Sequence, residues 1–514
     1  MRITVTGHAG LLIETNHGSV LCDPWFVPAF HGSWFVFPRN DHLDRERFRR
    51  PDYLYVSHLH GDHFDAPFLT EGVDKDIPVL LPELPTPDLE KALRDLGFTN
   101  VIHCPNGERL DLDGLEIAVF AETAPSDGPI GDSAIVVADE TARVLNMNDC
   151  RPSDVEAIRA LGPIDVVFLQ FSGAMWWPVV YELPAEAKAA AGRAKREAQL
   201  TRAVGYAKAV GARHVVPSAG PPCFLDPELW ELNDFDRAPD NIFPDATVFL
   251  ERLEAEGVEG GVLAIPGTVL EVDHGWGSLA VSHPVSDDEL RAIFTDKRAY
   301  LERYQADWLP WLEALKRGWP EPGPDLAGRL ASWWEPLMER APKTCAAIGR
   351  VLLIRAGDQE VLVDFPNGRV LPFDGVTEYQ YRLDLPAPLL EWCVQNRVVD
   401  LSNNLQLSLR FRAWRPGEYC EELFSFLKAL SPERVDVLER SVAASHGEID
   451  EMIRLGDWMV QRWCPHRQAD LSQFGEVADD GCTLICHLHG WTFDLETGAC
   501  HNATNRRLAA RRAD

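Results

Sequence analysis

Two short loops near the end of the chain constrain it most. They are Cys464-Pro465-His466 and, after 19 intervening residues, Cys486-His487-Leu488-His489-Gly490-Trp491. Each offers one thiolate and one imidazole within a tight turn, so two loops brought face to face present two sulfur and two nitrogen ligands. Such a set suits an iron–sulfur cluster or a zinc ion. Zinc fingers pair Cys with Cys and His with His along the chain, whereas here each loop carries one of each. That interleaving favours a cluster pinched between the loops, with zinc as the alternative.

The two loops, together with the following Phe493-Asp494-Leu495-Glu496-Thr497-Gly498-Ala499-Cys500, resemble the Rieske family. The resemblance implies a small all-β domain over residues 455–514 and a [2Fe–2S] cluster, with Cys464 and Cys486 on one iron and His466 and His489 on the other. Neutral imidazoles raise the potential of such a cluster, which then accepts electrons from an external ferredoxin or cytochrome with its reductase. His487 is then spare, and Cys482 and Cys500 read as structural. The remaining thiols among 11 cysteines are scattered and form no disulfide framework.

A second cluster of donors stands near the start of the chain. Ser57-His58-Leu59-His60-Gly61-Asp62-His63 directly follows the apolar run YLYV, placing imidazoles and carboxylate on one loop at a strand end. Such donors suit a transition metal. Around it, ITVTGHAGLLIET, GSVLCDP, LEIAVFAET, SAIVVADE, ARVLNMND, DVVFLQF, HVVPSAG and GGVLAIP read as strands, and residues 185–211 as a long helix. Residues 1–275 are therefore expected to form an α/β domain. Residues 276–435 read as an α+β middle domain: a helical start, a VLLIRA–EVLVDFP hairpin about Gly357-Asp358, and an alternating LSNNLQLSLRFRAW that reads as a half-buried strand. The hairpin has a weakly sterol-carrier-like look.

The histidine loop resembles that of the metallo-β-lactamase superfamily, which implies an αββα sandwich with metal at the sheet ends. Asp149, at the end of Asn146-Met147-Asn148-Asp149, stands where that superfamily has its metal-bridging aspartate. Two further superfamily histidines have no counterpart here: residues 123–132 and Pro217-Ser218-Ala219-Gly220 contain none. The candidate metal set is thus His58, His60, Asp62, His63 and Asp149, with Asp127 or Asp132 as substitutes and Asp62 and Asp149 as the catalytic candidates. Histidines with a carboxylate match the 2-His-1-carboxylate pattern of non-haem Fe(II) oxygenases, so one mononuclear iron is favoured and zinc is the alternative. His8, His31, His42 and His103 read as isolated histidines, and Cys22-Asp23-Pro24 as a strand-ending turn. Phe171, Trp176 and Trp177 read as core aromatics or as a stacking surface for substrate.

Several longer segments, YLYVSHLHGDHFDAPFL, DSAIVVADETARVLNMNDCRPS, VVFLQFSGAMWWP, HVVPSAGPPCF and LLEWCVQNRVVDLSNNLQLSLRFRAW, resemble the cytidine monophosphate-N-acetylneuraminate hydroxylase family across most of residues 50–430. The resemblance implies a Rieske- and iron-dependent monooxygenase that uses O2 to hydroxylate a small molecule at C–H or N–H. An N-acyl or amino compound, such as a nucleotide-activated sialic acid, is the implied substrate class. In the animal enzymes the Rieske domain comes first, whereas here the motif is C-terminal. A metal-dependent hydrolase with a redox-sensing domain, or an electron-transfer protein, are the alternatives. With 49 basic against 80 acidic residues and a net charge of -31, nucleic acid and anionic membranes are not expected partners. No 18-residue apolar stretch or leader is evident, so a cytoplasmic protein is expected. Oligomeric state is not readable from the sequence.

Overall fold

The computed structural model describes the chain except residues 123–129, 174, 274–277, 445–450, 466–468, 489, 503–505 and 514. His466, His489 and Asp127 therefore lie outside the described residues. The described residues fall into two compact units, one drawn from residues 1–122, 130–175 and 189–314, the other from residues 176–188 and 315–513.

The first unit is an αββα sandwich. Its strands are β1 (Arg2–Gly7), β2 (Gly10–Thr15), β3 (Gly18–Cys22), β4 (Tyr53–Tyr55), β5 (Val79–Pro82), β6 (Val101–Cys104), β7 (Arg109–Leu112), β8 (Leu115–Glu122), β9 (Asp132–Ala138), β10 (Arg143–Asn146), β11 (Val166–Gln170), β12 (His214–Ser218), β13 (Val269–Asp273) and β14 (Ser278–Ser282). Among the described residues they form one sheet in the order β14-β13-β1-β2-β3-β4-β5-β6 and another in the order β12-β11-β10-β9-β8-β7. Alternate residues of β1, β2 and β3 (Ile3, Val5, Leu11, Ile13, Val20, Cys22) meet Ile117, Val119, Ile135, Val137, Val144 and Val166 of the second sheet in one buried core. The intervening residues Leu12, Leu21 and Leu54 face outward, where Phe68, Leu69, Leu89 and Leu93 of two short helices cover them. A strand covered on both faces takes apolar residues on both, as Ala134 to Ala138 of the fully buried β9 do.

Strand direction sets which strand ends share an edge. β1 pairs antiparallel with β2 and β2 antiparallel with β3, while β3, β4 and β5 run parallel. β10, β11 and β12 are parallel to one another and β9 is antiparallel to β10. The ends of β1, β3 and β4 therefore emerge at one edge of the first sheet. The ends of β10, β11 and β12 and the start of β9 likewise share one edge of the second.

The helices Asp287–Thr295 and Lys297–Arg317 carry the first unit past residue 275: Leu301, Tyr304 and Leu312 pack with Phe35, Cys223 and Leu225. Two strand expectations are corrected. GGVLAIP makes only an isolated bridge between Gly261 and Val215. In LSNNLQLSLRFRAW, the Asp400 side chain accepts from Asn403 N at 2.8 Å and starts a helix over Leu401–Leu405, leaving only Arg412–Trp414 as strand. Residues 401–403 and 405–411 are buried, so the alternation of apolar residues there does not mark one wet and one dry face.

The second unit contains a five-stranded sheet, with Arg369–Pro372, Gln359–Asp364, Val351–Ala356, Tyr381–Asp384 and Arg412–Trp414 in that order. It also contains two three-stranded sheets. One orders Met452–Leu455, Trp458–Gln461 and Ala510–Arg512; the other orders Gly475–Val477, Thr483–Cys486 and Trp491–Asp494. These small β-sheets carry the two Cys-His loops.

In the first unit, Lys297 Nζ lies 2.6 Å from Asp245 Oδ1, and both side chains are more than nine-tenths buried. Removing one member of such a pair strands a buried charge. Lys297→Met is expected to cost about 3–5 kcal/mol, measured as a lower midpoint in urea unfolding.

Candidate metal centre

The topology explains why donors distant in sequence converge. His8 follows β1, Asp23 follows β3, and the loop from Ser57 to His63 follows β4; Asp132 opens β9, Asp149 follows β10 and Gln170 closes β11. Among the described residues, two groups of donors result. His58, His60 and Asp149 bring ligand atoms within 4.8 Å of one another, and so do His8, Asp62 and His63. Each group is two imidazoles and one carboxylate, and either could hold a metal ion. The five residues expected from sequence are thus brought together but divided between two groups, and the second group is completed by His8. Two three-donor groups stand where one mononuclear set was expected.

His8 reads as an isolated histidine in the sequence. The apolar run that contains it is in fact a hairpin: β1 and β2 pair from Arg2↔Glu14 to Gly7↔Gly10, and His8 sits in the turn at φ 54°. Gly-His-Ala-Gly inside an alternating run was the available signal for that turn. Gly10 is required there, because a Cβ would lie 2.1 Å from Thr6 Oγ1 and 3.0 Å from the Asp23 carbonyl. His8 Nε2 is 3.1 Å from Asp62 Oδ2, and the Trp25 ring meets the imidazole edge-on at 5.1 Å.

Carboxylates hold the rings from behind. His63 Nδ1 lies 2.7 Å from Asp23 Oδ2, and His58 Nδ1 lies 3.0 Å from Asp132 Oδ1. With its Nδ1–H donated to a carboxylate, each ring turns the lone pair of Nε2 toward the donor group, as metal-bound histidines do. Asp23 is itself fully buried and accepts from Ser57 N at 2.7 Å and Ser57 Oγ at 2.6 Å. Gln170 Nε2 donates to Asp149 Oδ1 at 2.5 Å, and Arg151 Nη2 donates to Gln170 Oε1 at 3.4 Å. Asp132 thus orients a histidine and does not itself join either group.

The donor atoms fit a metal. His63 Nε2 and Asp62 Oδ1 are buried without a hydrogen-bond partner among the described residues, a costly state unless an ion completes it. His58 Nε2 and His60 Nδ1 face each other at 2.7 Å, and His63 Nε2 lies 3.6 Å from Asp149 Oδ2, which links the two groups. Burial disfavours a proton on His63, but the Asp62 and Asp149 carboxylates outweigh it and raise the imidazole well above its ordinary value. Burial pushes the Asp149 carboxyl up, but His63 more than reverses this and holds it well below the usual carboxylate range.

In the second unit, Cys464 and Cys486 are fully buried at the two loops. Cys464 N donates to Ala469 O at 2.9 Å and Gly490 N to Cys486 O at 2.7 Å. The spare His487 pairs through Nε2 with Glu476 Oε2. Cys500 is buried and Cys482 half-buried. Trp176 packs against Phe424 at 5.8 Å, while Trp177 meets Tyr181 edge-on beneath the Arg415 guanidinium; these contacts account for both as packed aromatics of the second unit. Phe171 stacks on Phe249 at 5.5 Å in the first.

The charge on His63 and the carboxylate behind it each set a measurable expectation. A metal must displace the His63 proton, so affinity is expected to rise by about tenfold per pH unit for each proton displaced while the imidazole is protonated, and to level off above that range. Metal titrations at several pH values measure this. Asp23→Asn removes the carboxylate behind His63 and is expected to weaken metal binding by about 10–100-fold. Chelator competition measures the loss, with the cluster spectrum unchanged.

Three family models match the chain. Residues 19–218 match the Beta-lactamase superfamily domain, residues 326–444 the Rv3818-like, SCP2-like domain, and residues 425–510 the Rieske [2Fe-2S] domain. The Rieske domain implies a [2Fe–2S] cluster, and the metallo-β-lactamase-like fold a non-haem iron or zinc centre. The cytidine monophosphate-N-acetylneuraminic acid hydroxylase of Mus musculus is 29% identical over 163 residues, 30% of this chain and 27% of its own length. That is a shorter reach than residues 50–430. A metallo hydrolase structure from Ignicoccus hospitalis aligns with a TM-score of 0.36 and 17% identity, covering 55% of this chain and 98% of its own. A protein of Mycolicibacterium smegmatis named as a Rieske 2Fe-2S iron–sulfur protein is 44% identical over 522 residues, covering 99% of each chain. The chain accordingly belongs to that family of Rieske 2Fe-2S iron–sulfur proteins, in which it joins a metallo-β-lactamase-like sandwich to a C-terminal Rieske domain.

Proposed function

We propose that the protein is an oxygen-dependent monooxygenase that hydroxylates a small molecule at a C–H or N–H bond. The observation that carries this reading is the presence, in one chain, of a Rieske domain and of two partly buried groups each made of two histidines and a carboxylate. The partial similarity to enzymes named as hydroxylases supports it. One substrate, one O2, two electrons and two protons give the hydroxylated product and water. The electrons come from an external ferredoxin or cytochrome with its reductase.

When bound, a Rieske cluster supplies electrons singly and a non-haem iron centre supplies open positions for O2 and substrate. In the proposed site His58, His60 and Asp149 hold one ion and His8, Asp62 and His63 a second. Cys464, His466, Cys486 and His489 hold the cluster. Asp23 and Asp132 keep the His63 and His58 rings in the tautomer that presents Nε2. Gln170 keeps the Asp149 carboxylate turned inward, where it serves both groups. The full burial of His58 and His63 excludes bulk water from the back of the centre.

Metal analysis and electron paramagnetic resonance on protein purified without air test the proposal. Iron beyond the cluster's own and a reduced Rieske signal are expected. His58→Ala with His60→Ala should lose the part of that extra iron held with Asp149, and reductant-driven O2 consumption, while keeping the Rieske signal. Zinc in place of the extra iron, with turnover that needs neither O2 nor reductant, overturns the reading in favour of a hydrolase.

A further inference from the structure

We propose that a small cleft beside His8, walled mainly by phenylalanine and proline side chains, is the port by which dioxygen reaches the metal centre; the proposal rests on the oxygenase reading above. The cleft lies within the first unit and has a volume of about 60 Å³. Its floor is the turn carrying His8, and one wall is Ser218-Ala219-Gly220, at the end of β12. That wall is where the sequence lacks a histidine expected from the metallo-β-lactamase pattern, so the cleft opens beside the donors where a further ligand would have stood.

Size and chemistry select the occupant. A cavity of about 150 Å³ holds benzene, so one of about 60 Å³ is too small for an aromatic ring, a sugar or a nucleotide. It has room for a diatomic gas. Four phenylalanines (Phe37, Phe168, Phe171 and Phe294) and five prolines line it. Of the polar side chains on its walls, Ser218 Oγ donates to His8 O at 2.8 Å, Asp245 is paired with Lys297, and His8 Nε2 lies 3.1 Å from Asp62 Oδ2. A water molecule needs two to four polar partners, whereas an apolar gas needs none. The cleft also owes its shape to rigid walls. A Cβ on Gly220 would come within 2.6 Å of the Phe171 ring, and that ring is stacked on Phe249, so ring and backbone meet in van der Waals contact only because residue 220 is glycine.

Two variants at half-buried lining positions test the port from both sides: Ala264→Leu fills the cleft and Phe294→Ala widens it. The full-length protein is crystallised under xenon pressure, and in solution the Fe(II)-loaded protein is mixed with nitric oxide, whose binding to non-haem iron is followed in stopped flow. Xenon is expected in the wild-type cleft and absent from Ala264→Leu. Nitric oxide uptake should slow by about fivefold in Ala264→Leu, reach the same final amplitude, and be at least as fast as wild type in Phe294→Ala. Absence of xenon from the wild-type cleft overturns the proposal. So does unchanged nitric oxide uptake in an Ala264→Leu protein that has lost its xenon; in that case the oxygenase reading stands. A wild-type protein that takes up xenon but gives no nitric oxide signal when supplied with Fe(II) overturns the oxygenase reading and the port with it.

Discussion

The fully buried carboxylate of Asp23 is the point on which the donor array depends. A carboxylate without water must find hydrogen-bond donors within the protein, and this one takes them from Ser57 N, Ser57 Oγ and His63 Nδ1. Those bonds fasten the histidine loop after β4 to the turn after β3, and they decide which nitrogen of His63 is turned inward. The hairpin that carries His8 closes against the same turn, with Gly10 beside the Asp23 carbonyl. Three chain segments thus converge on one residue, and donors far apart in sequence, His8 and Asp62 among them, meet.

The opposite sheet completes the array by the same device. Asp132 holds the back of the His58 ring and Gln170 holds Asp149, so that carboxylates and an amide set the orientation of donors they do not themselves replace. This also accounts for the electrostatics. His63 and Asp149 shift in opposite directions, because each stabilises the charged form of the other in a buried setting. An array that is half satisfied by its own charges and leaves His63 Nε2 and Asp62 Oδ1 unpartnered among the described residues is organised for a cation.

Much of this was legible in the sequence where chemistry is local. The loop from His58 to His63 and the two Cys-His loops declare themselves by spacing within a few residues, and the alternation of β1 to β3 reports the buried face of a sandwich. His8 was not legible as a donor, because residues 3–13 around it hold no other His, Cys, Asp or Glu and only the hairpin turn brings it to Asp62. Asp23 and Gln170 were hidden for the same reason. The alternation in residues 401–414 misled in the other direction: a capping aspartate and burial on all sides made a helix of what a period of two had suggested as strand.

By itself the sequence determined which donor chemistries the chain carries, that two separate motifs hold them, and that the first of these stands at a strand end of a two-sheet sandwich. The tertiary structure alone decided how those donors are grouped, that His8 belongs with Asp62 and His63, which nitrogens face inward, and that a small cleft lies where the superfamily pattern places a further histidine. The physical reason is strand direction. The sign of each strand follows from pairing between residues up to hundreds of positions apart, and that sign alone brings the ends of β1, β3 and β4 to one edge and the ends of β10, β11 and β12 to another.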